Sequence, residues 1–225
     1  MPNRAQPPAR DPNRPADDAD WVDAAADAFA RWRDHADMAA LARATAILRG
    51  AAPRMIVDPE RAQLAAELAA ALLNVSIAQR RTDVLDEAIT VLARERSFID
   101  EHLDPSSSAL LTSREAELLT ERYYVSAGLA DLAAALDLYG SCAGFVAAFP
   151  QMLDDRDRAW YWWGYGMAHS HKAAVADQRS ERVAAVECLL KAVEASDEAS
   201  AFGRQIRGTL AVAQLALVEA DAGRR

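Results

Sequence analysis

A chain of 225 residues makes one large domain or two small ones and can bury a core without disulfide or metal staples. Its formal charge of -9, with 34 acidic against 25 basic residues, opposes a counterion-releasing nucleic-acid surface, which needs clustered Lys and Arg. Hydrophobic residues make up 52%, many of them Ala, with only nine Gly and nine Pro, a balance that suits packed helices over a sheet and predicts an all-α protein.

No stretch approaches the roughly 18 consecutive apolar residues of a membrane span. The N-terminus lacks the apolar core of a secretory signal, so the expected location is the cytoplasm. Cys142 and Cys188 sit inside apolar helical patterns with no paired-motif spacing, which predicts buried thiols in a reducing compartment.

Residues 1–19, MPNRAQPPARDPNRPADDA, hold five of the nine prolines. Their lack of large apolar residues cannot offset the entropy of ordering, so this segment reads as a disordered tail ahead of a helical domain over 20–225. Asp17, Asp18 and Asp20 place negative charge where a first helix begins.

Beyond the tail, Pro59, Pro105 and Pro150 are separated by 46 and 45 residues, and the next step lands in the polar cluster around Ser196 and Asp197. Such even spacing predicts a repeat. Each interval reads as two helices with a short break, the helical hairpin of a solenoid. First helices are expected at about 20–34, 60–80, 108–126 and 154–176, with a closing helix whose main apolar residues are Leu210, Val212, Leu215 and Leu217. The second helices align in register: Ala44, Ala88, Ala135 and Ala185 form one column. Leu48, Leu92, Tyr139 and Leu189 follow four residues on, and Ala51, Glu95, Cys142 and Ala192 three further. A small residue, a large one at i+4 and a small one at i+7 make a packing stripe, which only Glu95 breaks. In ERYYVSAGLADLAAALDLYG, Ser126-Ala127-Gly128 interrupts the pattern as the turn inside one hairpin, with Gly128 expected to take the backbone angle other residues avoid.

These residues resemble the tetratricopeptide repeat family. Trp160, Trp163, Gly164 and Met167 occupy the family's first-helix pattern, and AVECLLKAVEAS from Ala185 matches its second-helix pattern. Arg122-Tyr123, followed by Leu129-Ala130-Asp131-Leu132 and Ala135, is similar to the longer, degenerate repeats found beside caspase-like CHAT peptidases in actinobacteria. The resemblance spans about 21–222. It implies a right-handed α-helical solenoid of about four hairpins plus a capping helix. The family's usual repeat is 34 residues, so the extra dozen here must lengthen the helices. A chain already committed to helices leaves no room for a peptidase domain, so the tie to such enzymes is one of ancestry or partnership.

The densest chemistry lies in WYWWGYGMAHSHKAA. At about 100° per residue, Trp160, Trp163, Gly164 and Met167 share one face, read as core, while Tyr161, Tyr165, Ala168 and Lys172 form another. The second face corresponds to the inner surface of a repeat stack, where aromatic and basic side chains hold a peptide or small ligand. Interhelical packing is the competing reading. Trp162 and His169 fall between the two faces. His169 and His171 stand two residues apart and point about 200° from each other, so they do not share one metal ion.

Asp154-Asp155-Arg156-Asp157 is similar to the aspartate-rich magnesium motif of all-α terpenoid synthases. It also opens a helix, where carboxylates are expected without any metal. Neither cysteine has the exposed, electropositive setting of a nucleophile, and no glycine-rich phosphate loop is present. The expected function is a non-catalytic scaffold without cofactor or metal, binding a protein or peptide partner rather than nucleic acid or membrane. Arg122, Tyr123, Tyr161, Tyr165, His169 and Lys172 are its candidate contact residues. The alternatives are a small metal-dependent enzyme built on Asp154, Asp155 and Asp157, or a dimerisation module joined through the aromatic face at 160–165.

Overall fold

The computed structural model describes residues 20–35, 37–51, 68–69, 71–77, 79, 81–102 and 105–223. The tail expected over 1–19, the segment holding Pro53 and Pro59, and the start of the helix expected at 60–80 lie outside them. Among the described residues the chain is all-helical, with no strand. The helices are α1 (Asp20–His35), α2 (Met38–Ala51), α3 (Thr82–His102), α4 (Pro105–Ser126), α5 (Leu129–Ala148), α6 (Asp155–Ala176), α7 (Arg179–Ala195) and α8 (Ala201–Ala222). Residues 68–69, 71–77 and 79 are helical as well, and Pro150–Met152 forms a short 3-10 turn.

Side-chain caps set several helix starts by satisfying amide groups that have no partner in the first turn. Asp37 Oδ1 accepts from the Ala39 and Ala40 amides at 2.9 and 3.1 Å. Asp154 Oδ1 accepts from Asp157 at 2.7 Å, and Ser200 Oγ accepts from Gly203 at 2.8 Å.

The small–large–small stripe is the spine of the core. Ala44, Ala88, Ala135 and Ala185 are buried, and so are Leu48, Leu92, Tyr139 and Leu189 one turn on. Of the third column, the described side chains are Cys142 and Ala192, both buried. The core has two clusters that meet at α4. Leu111 and Leu118 join the α1–α3 side, while Ala109, Ala116 and Leu119 join the α5–α8 side. Helix α5 is long and apolar enough, by length and composition only, to cross a membrane; its Leu132, Ala135, Tyr139, Cys142 and Val146 lie in this core.

Cross-links fix how the helices run. Glu117 meets Trp160, and Tyr124 meets His171; the numbers rise together, so α4 and α6 are parallel. Trp160 and Trp163 meet Phe202, and Trp163 meets Thr209, so α6 and α8 are parallel too. Arg179 at the start of α7 pairs with Asp221 at the end of α8, which makes those two antiparallel. Helices α4, α6 and α8 thus run one way in a row, with α5 and α7 returning between them.

Two hairpin turns share one backbone solution. Ala127, φ 55°, and Asp177, φ 48°, are left-handed. Gly128 and Gln178 then follow as extended N-cap residues. The left-handed residue expected at Gly128 is therefore Ala127, while Gly128 has φ -73°. Asp tolerates this conformation better than Ala, because its short polar side chain bonds locally. Helix starts and turns in these two hairpins, 105/155, 126/176 and 129/179, share an offset of fifty residues, longer than the proline spacing. The reason is that Pro105 begins a helix, whereas Pro150 opens the 3-10 turn ahead of α6.

Candidate functional site

Helix α6 supplies most of the candidate side chains, and its neighbours decide which way each one faces. Tyr161 is only 2% exposed, and its hydroxyl donates to the Tyr139 carbonyl on α5. The Tyr139 ring packs edge-on to Tyr161 at 5.6 Å and stacks on Tyr165 at 5.4 Å. Trp162 is buried beneath the Lys191 ammonium of α7, 4.2 Å from its ring centre, a cation–π contact. His169 lies against Tyr165, ring centres 4.6 Å apart, and its Nδ1 donates to Glu181 of α7 at 2.6 Å. Burial raises the Tyr161 and Tyr139 phenols far above their ordinary range and Tyr165 in the same direction, so all three stay protonated donors.

The face holding Tyr161, Tyr165 and Ala168 therefore looks toward α5 and α7, and two of its members are core. This corrects the expectation that it is the inner surface of the stack. The face expected as core, Trp160, Trp163, Gly164 and Met167, is only half-buried, and its two tryptophans lie in the α4–α6–α8 row. There Trp160 Nε1 donates to Glu117 at 3.1 Å, the Arg114 guanidinium lies 5.8 Å from the Trp160 ring, and the Trp160 and Phe202 rings are 4.9 Å apart. Glu117 is held by Arg114 at 2.7 Å.

Two glycines make α6 fit between its neighbours. A Cβ on Gly166 would stand 2.8 Å from Leu189 Cγ and 3.2 Å from the Ala185 carbonyl, so Gly166, rather than Gly164, is where α6 meets the second-helix stripe of α7. Gly164 instead faces the Tyr139 side chain of α5.

Arg122 is a pin between helices. Its guanidinium donates to Asp131 of α5 at 2.9 and 2.6 Å and to Asp86 of α3 at 3.0 Å. The bonds to Asp131, then burial and the bond to Asp86, set its pKa, which ends above the ordinary arginine value. Tyr123 is half-buried against the core, its ring 6.0 Å from Tyr124 and 5.8 Å from His171. Lys172 is half-buried and makes no ion pair among the described residues.

A partly exposed aromatic pair uses two residues that sequence reasoning did not select. Tyr124 is 42% exposed, yet its hydroxyl is 2.8 Å from His171 Nε2 and the two rings meet edge-on at 4.7 Å. Burial lowers the His171 pKa, keeping the imidazole neutral and able to accept from the phenol. Burial, then Glu121 and Tyr123, raise the Tyr124 phenol, which keeps its proton. Val125 and Val175, fifty residues apart at equivalent helix ends, are also exposed, 57% and 49%. The one sequence signal for this feature was the adjacent Tyr pair; that His171 would meet it depends on which helices run side by side.

The acidic cluster opens α6 as a cap. Besides the Asp157 amide bond that Asp154 accepts, Asp155 pairs with Arg158 at 2.7 Å. Burial, then Asp154, raises the Asp157 carboxyl. His169 and His171 reach opposite neighbours, and among the described residues no three His, Cys, Asp or Glu side chains converge on a metal position. Both cysteines are buried and free, and burial pushes the Cys188 thiol up to about 12, the reverse of an activated nucleophile. No protein-family model, curated protein or solved structure matches this chain.

Proposed function

We propose that the chain is a right-handed solenoid of tetratricopeptide-like hairpins closed by α8, and that it acts as a non-catalytic scaffold. The parallel row of α4, α6 and α8, the shared turn geometry at Ala127 and Asp177, and the buried small–large–small stripe support this reading, since hairpin stacks place equivalent helices side by side. The partner is a protein or peptide segment that crosses the row at the helix ends.

The carrying observation is the Tyr124–His171 pair. An aromatic ring that is 42% exposed, yet held by a hydrogen bond to His171 of the neighbouring hairpin, offers contact area at low entropic cost. Tyr123 backs this platform, and Val125 and Val175 extend it as apolar surface. Arg122, two residues before Tyr124, locks α3, α4 and α5 together. Tyr161, Tyr165 and His169 hold α6 in place, while Lys172 lies one residue beyond His171 near the rim.

Peptides selected from a displayed random library against the wild-type protein test the proposal. Tyr124→Ala with His171→Ala should weaken the selected peptides at least about 10-fold, as truncating an aromatic anchor does, without changing the helical circular dichroism signal. A library that enriches no peptide, or peptides that bind the double variant equally well, overturns it.

A further inference from the structure

Helix α8 follows α4 and α6 in the row, with one face covered and the other exposed among the described residues. Gly203, Ile206 and Ala213 are buried, and Phe202, Leu210 and Leu217 are half-buried. On the far side Val212, Leu215 and Val218 are 69%, 58% and 63% exposed. Leu215 and Val218 belong to a longer seam of exposed positions, 204, 208, 211, 215, 218 and 222. Their spacing alternates between four and three residues, the pattern with which one helix packs on another. Gly208 in that seam has no atom within 4 Å of where a Cβ would stand, leaving a hollow between Arg204 and Ala211.

Charge on this face is ordered along the helix. Arg204 lies toward its N-terminal end and Glu219 toward its C-terminal end, both exposed, about 22 Å apart at 1.5 Å per residue. Glu219 makes no ion pair among the described residues, and Asp221 beside it is taken by Arg179. A face whose two ends carry opposite charge complements an antiparallel copy of itself: turned about a two-fold axis, Arg204 of each copy meets Glu219 of the other. In the same register Leu215 stands over the Gly208 hollow and Ala211 meets Val212. A parallel arrangement would set Arg204 against Arg204 and Glu219 against Glu219.

We infer that α8 is a self-association helix that joins two copies of this chain in an antiparallel, two-fold dimer, so that two helical rows are held back to back. Self-complementarity of one patch is what a closed two-fold interface requires. This places the contact on α8, and leaves the aromatic residues at 160–165, buried or half-buried, to packing between helices of each copy. It is independent of the partner-binding proposal, because α8 presents this face away from α6.

Sedimentation equilibrium of the full chain tests the inference. Wild type should dimerise with a concentration-dependent mass, and Leu215→Asp, a change at an exposed position that leaves the fold intact, should raise Kd at least about 30-fold. Arg204→Glu or Glu219→Arg alone should raise Kd about 5-fold, whereas the two together should return it to within about 2-fold of wild type by restoring opposite charges across the axis. A wild-type chain that stays monomeric at about 200 μM, or a Leu215→Asp chain with unchanged Kd, overturns the interface. Failure of the double charge exchange to restore association overturns its antiparallel geometry.

Discussion

Replacing Gly166 by Ala sets helix propensity against packing and gives a sharp test of the α6–α7 crossing. Propensity alone favours Ala by about 0.8–1.0 kcal/mol in a helix interior. The added Cβ, however, would sit 2.8 and 3.1 Å from Leu189 side-chain carbons and 3.2 Å from the Ala185 carbonyl oxygen. Leu189 is fully buried and Ala185 contributes backbone, so neither can step aside without parting the two helices. Overpacking of this kind costs about 1–3 kcal/mol, and a backbone obstacle puts it near the top of that range. The net expectation is a loss of about 1–2 kcal/mol, or about 3–6 °C in Tm for a chain this long. Gly144→Ala is the control: Gly144 is exposed within α5 and nothing lies within 4 Å of its missing Cβ, so that variant should gain about 0.5–1 kcal/mol. Urea unfolding at fixed protein concentration measures both. If Gly166→Ala proves as stable as wild type or more so, the close approach of α6 to α7, and with it the small–large–small stripe as organiser of the hairpin, is refuted.

Ala127→Gly should stabilise the protein by about 0.5–1 kcal/mol. The left-handed turn strains Ala by about 1–2 kcal/mol, while Gly gives back part of that in unfolded-chain entropy; the urea midpoint should rise with an unchanged slope, and a fall would refute the turn geometry. Because burial lowers the His171 pKa, the unfolded chain takes up a proton there that the folded chain refuses. The stabilising contribution is complete above the unfolded value of about 6.5 and is lost as pH falls through the folded value. Glu121 and Asp157, whose pKa values burial raises, act in the opposite sense in the carboxylate range. Between pH 7.5 and 5.5, wild type should therefore lose more stability than His171→Gln, and equal losses would remove His171 from the account.

What could be read in the sequence was whatever depends on a residue and its near neighbours along the chain. Ala44, Ala88, Ala135 and Ala185 recur with a large residue at i+4, and an α-helix must bring such positions onto one face, so the buried stripe was legible before any tertiary information. The interruption at Ser126-Ala127-Gly128 was legible as a hairpin turn, though not that Ala127 rather than Gly128 would take the left-handed angle. The acidic residues before Trp160 were likewise readable as a cap, because capping is satisfied within four residues.

The faces of α6 were another matter. This helix touches α4, α5, α7 and α8, so large side chains point in every direction and no 3.6-residue rhythm separates core from surface. Tyr161 and Trp162 became core, while Trp160 and Trp163 came to lie half-buried between parallel helices, only because of which neighbours arrived on which side. The same holds for the Tyr124–His171 pair, whose members are 47 residues apart, and for the exposed face of α8. Local sequence determined where this protein makes helices, turns and a packing stripe, since hydrogen bonds and helical geometry act over a few residues. The order of helices around α6, a matter of long-range packing, decided which of its aromatic residues are buried and which meet solvent.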